Sequence, residues 1–529
     1  AYANALNAAE TLYQSCIFLD GKAAELSETG NLAQKMTYVL ARTGKLPQAS
    51  ENLEKSRARG LTESLNRDRA DLKQLEQVKP KLYEQYRTIT EQLRALENQQ
   101  RDRMTSSDRH NITPEVLRET ATNLRQQLNN LIQEIRQVPG YEAFLTLPTF
   151  QDVRQAAKSD LTESTLCERP LVYLTTTSAG SLALIVTPED VQSIWLNDLN
   201  QEQLQGIVQT WFASYNQSQT DHQSWLDAID ITTRQLWEPL MQPLIQSLKT
   251  QNIHQATLIP TGLLSFLPLH AAWTPDENCP TQRHYALDDI YFTYAPNAKS
   301  LTAAQTIAQS IQPTTILAID NPTQNLPNSG REINAAIDSF PNPIVLRHAE
   351  ATVENVRSKL TEASIVHFSC HGTANLNEPL NSGLEMSDGL LILRDILALN
   401  LAEKGGIRLA ILSACETGLN GIENADEAIS LPTGLLQAGV AAVIASFWSV
   451  DELSTMILLI RFYDFWRKDD LEPSIALHQA QLWVRDTTSQ EKANYFKPTQ
   501  PELFQKLILH PPDYFAHPFH WSAFSYTGV

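Results

Sequence analysis

Apolar spacing divides this chain before any single residue is considered. Through the first 140 residues, apolar positions recur at steps of three and four, the period of a helix. Met36, Tyr38, Val39 and Leu40 precede Gly44-Lys45-Leu46-Pro47-Gln48-Ala49, which reads as a helix, a tight turn and a second helix. Ala49, Leu53 and Ala58 fall on the inner face of that second helix. Leu82, Tyr86, Ile89, Leu93 and Leu96 then form a heptad seam. A second seam, Leu117, Leu124, Leu128, Leu131, Ile135 and Val138, is entered through Thr113-Pro114, a capping hydroxyl followed by proline at the first helical position. The polar stretch Gln99 to Asn111 reads as a connector, so the two seams predict an antiparallel helical hairpin, bent at Pro80.

From about Tyr141 the pattern changes to short apolar runs alternating with helical segments. Pro170 to Thr175 and Ser181 to Val186 read as strands joined through Ser178-Ala179-Gly180. Leu199 to Leu248 is mostly helical, with Trp211, Trp225 and Trp237 as core anchors. Further strands are predicted at Ala256 to Pro260, Thr315 to Asp320 and Ile344 to Leu346, with helices around Glu332-Ile333 and from Val353 to Leu360. Two more runs follow, Ser364 to Cys370 and Leu409 to Ala414. This alternation predicts a parallel sheet with right-handed crossovers. Asn375 to Gly389, rich in Asn, Ser, Gly and Glu, reads as a loop at the mouth of any site there, a candidate gate. Leu390 to Leu397 reads as a strand edge and helix start.

The last two runs each deliver a reactive side chain: His371, followed by Gly372, and Cys415, followed by Glu416-Thr417-Gly418. In open α/β sheets, chemistry collects beyond the carboxyl ends of the strands. Adjacent strands would set His371 beside Cys415, about 44 residues apart in sequence. A thiol is mostly protonated at neutral pH, and a neighbouring imidazole promotes thiolate formation or takes the proton during attack. The backbone amides of Gly372 and Cys415 are candidates for holding the oxyanion. Caspase-like hydrolases carry the histidine about 50 residues upstream of the cysteine, and this spacing fits. Cys370 suits a buried, inert role, and His367 and His270 suit packing. No third acid can be picked, and a dyad suffices.

The stretch closely resembles the CHAT domain, a caspase-like peptidase family related to separase. The resemblance rests on His371-Gly372, Leu412 to Gly418, Asp426-Glu427-Ala428-Ile429, Gly439 to Val443, Ser446 to Asp451 and the closing His517 to Phe524. It implies an α/β caspase-like fold with a pseudo-caspase half (141–345) and a catalytic half (346–529). An all-α region precedes them, with a tetratricopeptide-like remnant over 1–60 and the long helical hairpin over 61–140. Separase-like relatives place an acid near Asp451 and Glu452 to receive a basic side chain before the scissile bond. Asp426 and Glu427 are a second acidic pair, and Asp451 also suits a helix cap. The resemblance implies a cysteine endopeptidase making limited, regulated cuts in a protein partner. It further implies bacterial signalling or defence, beside CRISPR effectors or in the activation of gasdermin-type pore formers. A regulatory protein or ribonucleoprotein would dock on the N-terminal helices. A different class, motivated by those helices, is an interaction scaffold with a latent or structural peptidase domain.

Composition narrows the partners. A formal net charge of −19 argues against a broad nucleic-acid footprint, which needs clustered Lys and Arg. There is no apolar run long enough to span a membrane and no signal-peptide pattern. The first residue is Ala rather than Met, as expected of a processed product or a fragment. Five scattered cysteines offer no metal-ligand spacing and no disulfide framework, which suits a reducing, cytoplasmic setting. No cofactor or metal is expected, since neither a P-loop nor a GxGxxG pattern occurs.

Overall fold

The computed structural model describes residues 2, 4, 5, 8, 31–57, 71–105, 114–142, 144–158, 169–375, 379–413 and 430–529. Its core is one eleven-stranded sheet. In chain order the strands are β1 (Leu171–Thr177), β2 (Gly180–Val186), β3 (Val191–Leu196), β4 (Gln255–Pro260) and β5 (Tyr291–Tyr294). They continue with β6 (Ile316–Asp320), β7 (Ile344–Arg347), β8 (Ile365–Ser369), β9 (Leu409–Ser413), β10 (Ala442–Ser446) and β11 (Phe524–Gly528). Across the sheet the order is β3-β2-β1-β4-β5-β11-β10-β9-β8-β6-β7.

The central strands are apolar at nearly every position and buried on both faces, as parallel strands covered by helices must be. β1, β4, β5 and β11 run parallel to one another, and so do β10, β9, β8, β6 and β7. The two groups meet antiparallel at β10 and β11. Apart from β2, which runs antiparallel to β1 and β3, the sheet is therefore two half-sheets running in opposite directions, joined by the last strand in the sequence.

Helices fill the faces. The tryptophan anchors Trp211 and Trp225, on helices Gln201–Asn216 and His222–Gln235, meet edge to face with ring centroids 4.7 Å apart. Trp448, just past β10, packs on both, at 5.8 and 6.1 Å, and so ties the first half to the second. Trp448 is fully buried.

The helical front end is present, and it leans on the sheet. Helices Leu32–Arg42 and Leu46–Ser56 turn about Gly44, whose φ of +75° suits glycine. Their apolar residues Tyr38, Ala41, Ala49 and Leu53 share a cluster with Leu171, Tyr173, Leu182 and Leu184 of β1 and β2. Ala58, expected on the same face, lies outside the described residues. Glu54 is 2% exposed and caps another helix, Ala298–Ser310. It accepts from the backbone N–H of Ala298 and Lys299, both at 2.9 Å, and from the Tyr173 hydroxyl at 2.7 Å.

The heptad seams become helices Asp71–Val78, Pro80–Thr105 and Pro114–Ile135. Tyr86, Leu131, Ile135 and Val138 are buried together, with Leu82, Ile89 and Leu128 packed around them. The break falls at Lys79, ahead of Pro80 as expected. The helix runs through Thr105, past the Gln99 at which a connector was expected, because Gln, Arg and Met are good helix formers even without an apolar stripe. Within the predicted loop Asn375 to Gly389, the described residues 379–389 are more ordered than their composition suggests. Gly383–Met386 is the middle strand of a small antiparallel sheet, between Gly372–Thr373 and Gly389–Ile392. Gly383 is required there, since a Cβ would come within 2.6 Å of the Leu391 carbonyl oxygen.

Candidate active site

β8 and β9 are adjacent and parallel, in the register Ile365↔Leu409 through Ser369↔Ser413. Their paired last residues stand two positions before His371 and two before Cys415 respectively. Cys415, Asp426 and Glu427 lie outside the described residues. His371 and Gly372 are both half-buried at the carboxyl end of β8. The carbonyl of His371 accepts from the Glu385 N–H at 2.9 Å, and Gly372 pairs with Leu384, which anchors this turn to the small sheet.

The His371 ring is held from the opposite side. Its Nε2 lies 2.9 Å from Oδ1 of Asn325. A carbonyl oxygen only accepts, so Nε2 carries the proton in this bond and Nδ1 is left for other partners. Asn325 Oδ1 also accepts from the Thr323 hydroxyl at 2.6 Å. The turn that presents Asn325 is built by Asn321, just past β6. Asn321 takes φ +46°, donates its N–H to the Ser369 carbonyl, and accepts through Oδ1 from the N–H groups of Asn325 and Leu326. Such left-handed asparagine turns are a common means of fixing a tight loop. Asn325 was missed in the sequence, where Asn321-Pro322 marks a turn but nothing distinguishes one asparagine in it from the next.

Beneath this turn is a buried polar cluster. His367, in β8, has no exposed surface. Its Nε2 donates to Glu332 Oε1 at 2.7 Å and its Nδ1 accepts from the Tyr463 hydroxyl at 2.8 Å. Burial, then the Glu332 charge, pushes the Tyr463 phenol well above its ordinary range. His367 is thus a packed histidine with both nitrogens satisfied. His270 is likewise buried, with Nδ1 2.9 Å from the Tyr294 hydroxyl and Nε2 3.1 Å from the Ser522 carbonyl. Burial lowers its pKa to about 4, so it is neutral. Cys370 is 2% exposed.

The acids after Trp448 are fixed to the framework. Asp451 caps helix Glu452–Tyr463, accepting from the Ser454 N–H at 2.8 Å. Glu452 reaches across to accept from the Asn328 N–H at 2.5 Å, and burial raises its pKa. Asn328 begins the helix that carries Glu332, three residues beyond Asn325. The Asp451–Glu452 corner is therefore hydrogen-bonded to the helix start that follows the His371-holding turn.

The fold is an α/β sheet in two halves behind an all-α front end, with a histidine held at the carboxyl end of a parallel strand in the second half. The model of the CHAT domain matches residues 230–529, more than half of the chain. The chain belongs to the CHAT domain family, a family of cysteine peptidases, and has the caspase-like α/β fold class that the sequence predicted. Among solved structures it is similar to the Saccharomyces cerevisiae separase–securin complex, at 10% identity and a TM-score of 0.45, over 96% of this chain and 44% of that one. It is also similar to the Arg specific cysteine proteinase gingipain R, at 11% identity and a TM-score of 0.35, over 57% of this chain and 67% of that one. The complex of Porphyromonas gingivalis RgpB pro- and mature domains gives 11% identity and a TM-score of 0.33, over 62% and 76% of the two chains. Comparison with curated proteins gives no match.

Proposed function

We propose that this chain is a cysteine endopeptidase that makes limited cuts in a protein partner. Cys415 attacks the scissile carbonyl carbon, forming the C–S bond, while its proton passes to Nδ1 of His371. The backbone amides of Gly372 and Cys415 hold the oxyanion. The imidazolium then protonates the leaving amine, and water, activated by the same ring, hydrolyses the thioester and restores the thiol. The observation that carries this reading is the tautomer lock on His371. With Nε2–H committed to Asn325, the basic nitrogen is Nδ1, the one free to take a proton.

Asp451 and Glu452, with Asp426 and Glu427, are read as the acids that favour a basic residue before the cut. The catalytic half is placed at 346–529, the pseudo-caspase half at 141–345, the long hairpin at 61–140 and a tetratricopeptide-like remnant at 1–60. The setting is read as cytoplasmic, in bacterial signalling or defence of the CRISPR-effector-associated or gasdermin-activating kind, with a regulatory partner on the N-terminal helices. Among the described residues no helix is long and apolar enough to cross a membrane. The test is a positional peptide library with the parent protein beside Cys415→Ala. Cuts after Arg or Lys, present only with the parent, are expected. Cleavage that persists in Cys415→Ala would sink the assignment, and cuts after other residues would remove the acids from the pocket.

A further inference from the structure

Far along the chain from His371, a short hairpin of Trp273–Pro275 and Arg283–Tyr285 gathers three different metal-ligand types. Asp276, Cys279 and His284 each place one donor atom within 4.8 Å of the other two, and all three residues are half-buried. The sequence offers no familiar metal spacing here; the hairpin supplies the convergence by pairing Thr274 with His284.

Two of the three donors are already oriented from outside the trio. His284 donates Nε2–H to Asp289 at 2.7 Å, so Nδ1, 3.8 Å from Asp288 Oδ2, is the nitrogen left for a cation to take in place of a proton. A carboxylate behind a histidine is the usual arrangement behind a metal-bound imidazole, where it fixes the tautomer and raises basicity. Asp289 is itself held by Lys249 at 2.5 Å. Asp276 receives the backbone and side-chain N–H groups of Asn278 on Oδ1, both at 2.9 Å, so that Oδ2 is the atom facing Cys279 Sγ, at 3.7 Å. Neighbouring Asp288, whose Oδ2 lies 3.8 Å from His284 Nδ1, is held by the Tyr285 N–H at 2.8 Å and by Arg485 at 2.6 Å.

We propose that Asp276, Cys279 and His284 form a binding site for a divalent transition-metal ion, with zinc the best fit. One thiolate, one imidazole and one carboxylate suit this borderline-soft ion, and its two positive charges balance the two anionic ligands. Water takes the fourth position. Without the ion, the Cys279 thiol donates to Asp276. On binding, the S–H bond breaks, a metal–sulfur bond forms and the proton passes to solvent. The ion closes the hairpin, whose next turn is tied by Asp288 to Arg485 in helix Pro473–Asp486 of the C-terminal half.

The test uses the full chain carrying Cys415→Ala, because the thiol of the proposed dyad would also compete for zinc. Zinc chloride is titrated against a chromophoric competitor, and cobalt(II) is added to a parallel sample to read the sulfur-to-cobalt absorption band. Expected are about one equivalent per chain, release of a proton, a sulfur-to-cobalt band and a raised melting temperature. Cys279→Ser should abolish the band, and Asp289→Asn, which spares every ligand, should weaken binding by about 10–100-fold. Absent binding, or several weak equivalents unchanged by Cys279→Ser, would overturn the site. Circular dichroism of both variants separates loss of the ligand from loss of the fold.

Discussion

Asn325 does at one atom what the sequence alone left without an agent. A dyad needs its imidazole in one tautomer and one orientation, and the 2.9 Å bond to Asn325 Oδ1 supplies both. Replacing Asn325 with Ala is expected to lower kcat by about 10–100-fold with KM little changed, because the ring is misaligned while the substrate groove is untouched. Asn325→Asp should act differently. A carboxylate stabilises the imidazolium, so the acidic limb of the pH–rate profile should move to higher pH. Steady-state kinetics across pH on both variants checks this. An unmoved limb in Asn325→Asp would leave the contact without a role in holding the proton. The residue escaped sequence reading because its partner is 46 positions away and its neighbours are all plausible turn residues.

At the scale of elements, Glu54 joins the helical front end to the sheet. Truncation to Ala removes the acceptor for two backbone N–H groups and a phenol around a buried carboxylate. The expected loss is about 3 kcal/mol, with Glu54→Gln losing about 1 because an amide oxygen keeps part of the set. Urea denaturation of both variants measures it. A front end that only rests on the sheet would give no loss in either. The elements that sequence reading identified are those whose burial is written in consecutive residues. β8 and β9 are short, mostly apolar runs, interrupted in β8 only by His367 and each ending in Ser, and the tryptophan-bearing helices show their period directly. The small sheet after His371 was not legible in that way. Only Leu384 and Met386 of its middle strand turn inward, and its pairing with Gly372 and Thr373 spans a polar stretch that looks like loop. The same holds for the far part of the long helix, out to Thr105, where propensity without periodicity gave no sign of it.

For the whole molecule, the buried histidines set an acid limit. Burial lowers His270 and His520 to about 4 and His478 to about 3, from 6.5. Each takes up a proton near neutrality only when the chain is unfolded. Their contribution is therefore complete above about pH 6.5 and is lost as pH falls through about 4. The limiting slope is roughly 1.4 kcal/mol per pH unit for each histidine. Denaturation midpoints measured from pH 7.5 to 4.5 should fall steeply below 6.5, and His270→Gln should flatten the curve. A flat parent curve would show that these histidines are charged in the native state.

The antiparallel joint has a consequence for synthesis. β11 is the last strand in the sequence, yet it lies in the middle of the sheet between β5 and β10, and its other neighbour in space was made more than 200 residues earlier. A nascent chain can build each half locally, but the seam between them stays open until residue 528 has left the ribosome. Long-range pairing of this kind is slow to nucleate. A translation product stalled before β11 therefore carries two unjoined half-sheets, and the proposed peptidase is assembled only once Phe524–Gly528 has been made.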